Sequence, residues 1–168
     1  IAIMRVIPNM SVLEVGDATE VESVLDIAHA IDGPVYVRML RGEVPRLFDT
    51  PMEFNQARVL TRAGEDIDEP ADIVIVTSGI CTEEAMRAVP AMVDRGLKVT
   101  HLHVSTLKPF SDPTVTAALT SARKGVITME NHLVTGGLGS AVAEVMAENA
   151  IAVPLSRIGL NDTYAHGA

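Results

Sequence analysis

One cysteine, Cys81, is all that the sequence offers for thiol chemistry. It excludes an internal disulfide and leaves no second thiol for a redox pair or a zinc motif, so Cys81 is expected to be inert and half-buried, in a reducing compartment. No apolar run approaches the roughly 18 to 20 residues of a membrane helix, and no basic segment leads into a signal-like core near Ile1. A membrane partner is therefore not expected, and a cytoplasmic location is. Basic residues are scarce as well: 13 Lys and Arg against 22 Asp and Glu give a formal charge of −9. Duplex nucleic acid or an anionic membrane would call for a clustered basic face, and none is visible. There is no serine in a nucleophile-elbow context and no internal repeat or low-complexity tract.

What is present suits a globular chain. The 168 residues are 48% hydrophobic and 21% charged, enough to bury one domain or one domain plus part of another. The chain opens at Ile1 within an amphipathic pattern and stops at Ala168 after the turn-like NDTYAHGA, which reads as a piece of something longer.

Residues Ile1 to Val6 read as the end of a helix stopped by Pro8 and Asn9, followed by a strand from Val12 to Val15. Asp17 and Glu20 have capping-box spacing, and Val21, Val24, Leu25, Ala28 and Ile31 recur at helical intervals, predicting a helix over Asp17 to Ile31. Gly33-Pro34 then leads into the β-prone Val35-Tyr36-Val37. From Arg38 to Pro70 periodicity lapses, apart from a β-like run from Ala57 to Arg62, which is the profile of a crossing between domains. From Ala71 onward strands and helices alternate: strands at Ile73 to Val76, Val99 to Val104, Val126 to Met129 and Leu155 to Ile158, with helices at Thr82 to Arg95, Ser111 to about Ala122, and Gly136 to about Asn149. Nearly continuous apolar strands separated by helices predict an α/β domain, a mainly parallel sheet with helices on both faces. The last part of a second α/β domain precedes it. The implied division is 1–42, an incomplete first domain; 43–70, a linker; and 71–168, the second domain.

Four groups of residues could carry chemistry. Gly136, Gly137 and Gly139 lie between a strand and a helix, where backbone N–H groups and the helix dipole favour an anion. Their spacing departs from G-x-G-x-x-G, they stand six residues beyond the apolar strand, and the Lys-Ser/Thr ending of a P-loop is missing. They read as a tight loop feeding a closely packed helix. His101 and His103 share one face of a strand, as two metal ligands would, but no third ligand is evident; they read as a partly exposed strand-end or interface pair. Glu130-Asn131-His132 stands at the carboxyl end of a strand, where open α/β sheets gather function, yet Glu130 has no visible partner carboxylate. Arg38 and Arg41 flank the end of the first unit's last strand, with Gly42 allowing a sharp turn. Arginine's planar fork suits phosphate or carboxylate, and an offset of three on extended chain points the two guanidinium groups to opposite sides. One suits a salt bridge and the other a cleft.

The segments MRVIPNMSVLEVGDATEV, GPVYVRMLRGEVPRLF, DIVIVTSGICTEEAM, LKVTHLHVSTLKPF and GVITMENHLVTGGLGSAVAEVM, taken in order, resemble the transketolase family in its split, two-chain form. They resemble the end of the pyrimidine-binding domain and most of the C-terminal domain of the second subunit. The resemblance implies an upstream half before Ile1 and a last helix beyond Ala168. It implies a parent enzyme that moves a two-carbon ketol unit between sugar phosphates with thiamine diphosphate and Mg2+, both held outside this stretch, so that catalytic, cofactor and metal residues are expected to be absent here. Partners implied are the other transketolase half or subunit, in a homodimer or heterotetramer, and a sugar phosphate; the piece alone is expected to be inactive. Counted from Gly33-Pro34, the family's phosphate-contacting arginine falls on Arg41, leaving Arg38 structural. Alternatives are a 1-deoxy-D-xylulose-5-phosphate synthase, a 2-oxo acid dehydrogenase β subunit or, in another class, a non-catalytic assembly module.

Overall fold

The computed structural model describes residues 1–164; the end of the turn-like NDTYAHGA, 165–168, lies outside the described residues. Helix α1 (Ala2–Val6) leads to strand β1 (Ser11–Glu14), helix α2 (Ala18–Ala30) and strand β2 (Val35–Arg38). Strand β3 (Arg58–Thr61) and strand β4 (Ala71–Thr77) follow the irregular connection. The rest of the chain runs α3 (Cys81–Asp94), β5 (Val99–His103), β6 (Thr106–Lys108), α4 (Pro113–Ser121), β7 (Ala122–Leu133), α5 (Leu138–Glu148) and β8 (Leu155–Leu160). Among the described residues no helix is long and apolar enough to cross a membrane.

Two sheets result. The larger has the order β3-β5-β4-β7-β8, parallel except for the edge strand β3. Alternation along β4 divides its core: Ile75 packs with Ala85 and Val89 of α3 on one face. Val74 and Val76 face the other way, onto Val115 and Leu119 of α4 and Leu138 and Val142 of α5. Helices therefore cover both faces. The smaller sheet, β2-β1-β6, joins β1 and β2 in parallel, and α2 covers Leu13, Val15, Val35 and Val37.

Two details differ from the expectation drawn from periodicity. The run at Ala57 to Arg62 is not isolated in the crossing segment, because β3 pairs antiparallel with β5 and closes the edge of the large sheet. Three residues, Thr106 to Lys108, were too short to show a period, yet β6 returns to pair antiparallel with β1. That return strand, together with Val12 entering the core formed by Val76 and Leu102, ties the small sheet to the large one.

The capping box at α2 also forms with a displacement. Asp17 accepts from the Glu20 N–H at 2.8 Å, while Glu20 reaches one residue further back, accepting from the Gly16 N–H at 2.9 Å. Asp17 has a second duty: its other oxygen accepts from the backbone N–H groups of Leu47 and Phe48, both at 2.9 Å, pinning the connection to the helix start.

Candidate functional site

Strand β4 has β5 on one side and β7 on the other, so the chain leaves the carboxyl ends of β4 and β7 in a divided crevice, the usual position of ligands in open α/β sheets. The carboxyl ends of β1 and β2 meet it from the small sheet. Between them is a cleft of about 240 Å³ lined by residues that include Glu14, Arg38, Arg41, Gly79, Ile80 and Asn131.

The two arginines in this cleft have different lives. Glu14 is buried, 2% exposed, and would be an isolated charge but for Arg38, whose guanidinium pairs with Oε1. Ser78 Oγ donates to the other carboxylate oxygen at 2.6 Å, and Arg38 donates a further bond to the Asn131 carbonyl at 2.7 Å. Arg38 thus joins both sheets and has little capacity left for a ligand. Arg41 is exposed on the rim of the same cleft and, among the described residues, makes no hydrogen bond or ion pair.

At the glycine turn the anion is internal. The Leu138 and Gly139 N–H groups at the start of α5 both donate to the Glu130 carboxylate at 2.8 Å. Burial pushes the Glu130 pKa up, against these two hydrogen bonds. A Cβ on Gly137 would stand 1.9 Å from Glu130 Oε2, so glycine is needed there to let the carboxylate approach. Gly136 has φ +80°, and its carbonyl and that of Gly137 accept from Arg5 at 3.1 and 3.3 Å. With these N–H groups filled, the turn does not fit a diphosphate. Nor do the described residues hold a cluster of three or more His, Cys, Asp or Glu suited to a metal ion. His132 lies with Nδ1 3.8 Å from Glu130 Oε2, at the edge of this arrangement.

His101 and His103 are not partly exposed: both rings are fully buried, and His103 sits where the large sheet meets α2 of the first unit. They face the α3 side of β5, where polar residues replace apolar ones. His101 Nε2 is 3.0 Å from Thr77 Oγ1, which is 2.9 Å from Thr82 Oγ1, which is 2.6 Å from His103 Nδ1. His103 Nε2 ends the chain at Glu20 Oε2, 3.0 Å away. Glu20 also accepts from Ser105 Oγ at 2.6 Å and Arg58 Nε at 3.2 Å. Phe48 packs on the His103 ring, with centroids 5.1 Å apart, and the Arg58 guanidinium lies 4.5 Å from the centre of Phe48. Burial works to raise the Glu20 pKa, but the hydrogen bond and charge of His103 and the hydrogen bond from Ser105 together hold it down at about 2. Burial, aided by the charge of His103, pushes His101 down to about 4, so this imidazole is neutral near pH 7; its Nδ1 has no partner among the described residues.

Glu14, Ser78, Thr77 and Thr82 carry no motif or spacing that marks them in advance. Their signal is weak but real: polar residues interrupting apolar strands at inward positions, beside two inward histidines. Cys81 is half-buried at the start of α3, and burial pushes its thiol up to about 11, which makes it a poor nucleophile.

Fold and cleft together define a doubly wound α/β unit docked to a small mixed sheet, with a polar crevice where the carboxyl ends of β4, β7, β1 and β2 meet. A family profile described as transketolase, C-terminal domain, matches residues 62–168, and the chain belongs to the transketolase family. It is 38% identical to a 6-deoxy-6-sulfo-D-fructose transketolase subunit of Clostridium sp. (strain MSTE9), over 98% of this chain and 49% of the relative. It is 30% identical to one subunit of an apulose-4-phosphate transketolase of Actinobacillus succinogenes, over 96% of this chain and 50% of that protein. With a 1-deoxy-D-xylulose-5-phosphate synthase of Listeria innocua it shares 32% identity over its whole length, which spans 26% of the synthase. A solved split-gene transketolase, described as an inactive beta4 tetramer, superposes with a TM-score of 0.86 at 35% identity, over 98% of this chain and 53% of that one. The chain spans about half the length of the transketolase subunits it matches.

Proposed function

We propose that this chain is the rear of the pyrimidine-binding domain, a crossing segment and the C-terminal domain of a thiamine diphosphate-dependent transketolase, dividing near 1–42, 43–70 and 71–168. In this reading the complete enzyme moves a two-carbon ketol unit between sugar phosphates, and thiamine diphosphate and Mg2+ are held by the rest of the enzyme. The chain supplies assembly surface for its partner half or subunit, in a cytoplasmic dimer or heterotetramer, and does not act alone.

The observation that carries the substrate part is the division of labour at the cleft. Arg38 is occupied by Glu14 and the Asn131 carbonyl, while Arg41 presents at the rim a guanidinium with no partner among the described residues. A guanidinium there would hold the far phosphate of a sugar by charge-assisted hydrogen bonds. Holding the far end fixes the orientation of the substrate while leaving the reacting carbonyl to the cofactor side of the complex.

The synthase relatives support a neighbouring reading, in which the same cleft serves a 1-deoxy-D-xylulose-5-phosphate synthase; a 2-oxo acid dehydrogenase β subunit is the other alternative. The chain joined to its upstream half and mixed with the partner subunit, then assayed with ketose phosphates and with 2-oxo acids, separates the two. Ketol transfer from the ketose phosphate supports the transketolase reading. Turnover of the 2-oxo acid alone favours the synthase class, and no turnover of either leaves a non-catalytic assembly module.

A further inference from the structure

The buried polar chain ending in His101 is not used by the reading above, yet it is built against the cleft. Thr77 closes β4 and Thr82 lies in the first turn of α3; between them run Ser78, Gly79, Ile80 and Cys81. The bond between the Thr77 and Thr82 hydroxyls ties the two ends of this turn together, and the Thr82 N–H donates to the Gly79 carbonyl at 3.2 Å. Its middle forms part of the cleft wall: Gly79 and Ile80 line the cleft, and Ser78 donates to Glu14. Gly79 has φ +55°, and a Cβ there would stand 3.1 Å from Glu14 Oε1.

The opposite wall starts at Val15, which also lines the cleft, and Gly16 follows it. Gly16 is fixed by Glu20, and a Cβ on Gly16 would stand 2.6 Å from His103 Cε1 and 3.1 Å from the Gly79 carbonyl. His103 therefore bridges two sets of groups. Through Nδ1 it holds Thr82 and the turn of the large sheet, and through Nε2 it holds Glu20 and the wall of the small sheet.

We infer that His103, with Thr82 and Glu20, is a positioning device that sets the separation of the two cleft walls and so tunes how well the cleft grips an anionic substrate. This rests on the reading of the cleft as the substrate-phosphate site. His103 touches no substrate, being fully buried one layer behind the wall. Nε2–H donates to the Glu20 carboxylate, which can only accept, and the Thr82 hydroxyl links Nδ1 to the Thr77 hydroxyl. A side chain of the same shape that cannot accept or relay a hydrogen bond breaks the bridge while keeping the packing.

Thr82→Val is that change, and Thr82→Ser is its control, because serine keeps the hydroxyl. In the complete enzyme, Thr82→Val is expected to raise KM for the phosphorylated donor by about tenfold with kcat changed by less than about threefold, the pattern of lost binding rather than lost chemistry. Thr82→Ser is expected to return KM to within about threefold of the natural protein. His103→Gln serves as a second perturbation of the same bridge and should reproduce the KM effect. Amide hydrogen exchange over 79–82 in the same complex should be about tenfold faster in Thr82→Val than in Thr82→Ser. An unchanged KM together with faster exchange would overturn the positioning role and leave a merely structural bridge. Equal KM and exchange for Val and Ser would overturn the bridge itself. If Arg41→Ala leaves KM unchanged while Thr82→Val raises it, the positioning role stands and the phosphate assignment at Arg41 fails.

Discussion

Acid should act on this protein through His101, a ring that is fully buried, bonded at Nε2 to Thr77 and without a partner at Nδ1 among the described residues. Burial first, and the charge of His103 second, push its pKa to about 4 from the ordinary value of 6.5. Between those two values the unfolded chain binds a proton that the folded chain refuses. Stability from this group is therefore complete above about pH 6.5, declines as the pH falls, and levels off below about pH 4. At about 1.4 kcal/mol per pH unit the loss across the window is about 3 kcal/mol. Other groups behave differently: Glu20, held down at about 2, begins to lose its own contribution only as the pH falls below 4.5. Glu130, pushed up by burial, is relieved of its charge on acidification and works in the opposite direction. Both contributions persist in a His101→Leu variant, so the difference between the two proteins isolates the imidazole. Leucine fills the space, removes the orphan Nδ1, and leaves Thr77 its bonds to Thr82 and to the Leu102 carbonyl. The variant should then lie within about 1 kcal/mol of the natural protein near neutral pH. Urea unfolding of both proteins at about pH 7, 5.5 and 4 measures this directly. The natural protein should lose about 3 kcal/mol more than the variant between the extremes. Parallel losses would refute the claim that His101 is held neutral by burial.

Three further outcomes are expected. Gly137→Ala drives a methyl into Glu130 and should destabilise by about 2–4 kcal/mol, read as a lower thermal midpoint; an unchanged midpoint would show that the carboxylate does not cap α5. Arg38→Ala leaves Glu14 buried with only Ser78 for company and should cost about 3–5 kcal/mol in unfolding free energy. Restoring most of that loss by adding Glu14→Gln would confirm the ion pair as its source, and no restoration would contradict it. Arg41→Ala, at an exposed side chain with no partner among the described residues, should alter stability by less than about 0.5 kcal/mol, and a larger loss would mean that Arg41 is structural.

Helix and strand positions were largely legible because they rest on local rules. The β4 run Ile73 to Val76 shows no alternation in sequence, since helices cover both of its faces, and it reads correctly as a buried parallel strand. The start of α2 was legible from Asp17 and Glu20, and the start of α4 from Asp112-Pro113. What escaped depends on pairing at a distance. The run at Ala57 to Arg62 was legible as a strand, but its place at the edge of the large sheet, like the existence of β6, depends on partners on β5 and β1 some tens of residues away. The same is true of the candidate site. Arg38 and Arg41 were expected on opposite sides of an extended chain, yet both line one cleft, and the partner of Arg38 lies on another strand. Glu20 read as a helix-capping residue, and its role as acceptor for His103 depends on a contact 83 positions along the chain. The glycine turn shows the reverse case, in which a motif that suggests a bound anion is already filled by the protein's own Glu130.

The central claim is that the cleft between the two sheets receives the phosphate of a ketol donor at Arg41. The most direct test is steady-state ketol transfer by the complete, thiamine diphosphate-loaded enzyme carrying Arg41→Ala. Loss of a charge-assisted hydrogen bond of about 1.5–3 kcal/mol should raise KM for the phosphorylated donor by about 10- to 100-fold with kcat nearly unchanged. A KM equal to that of the natural enzyme, or no ketol transfer by the assembled natural enzyme, would contradict the account.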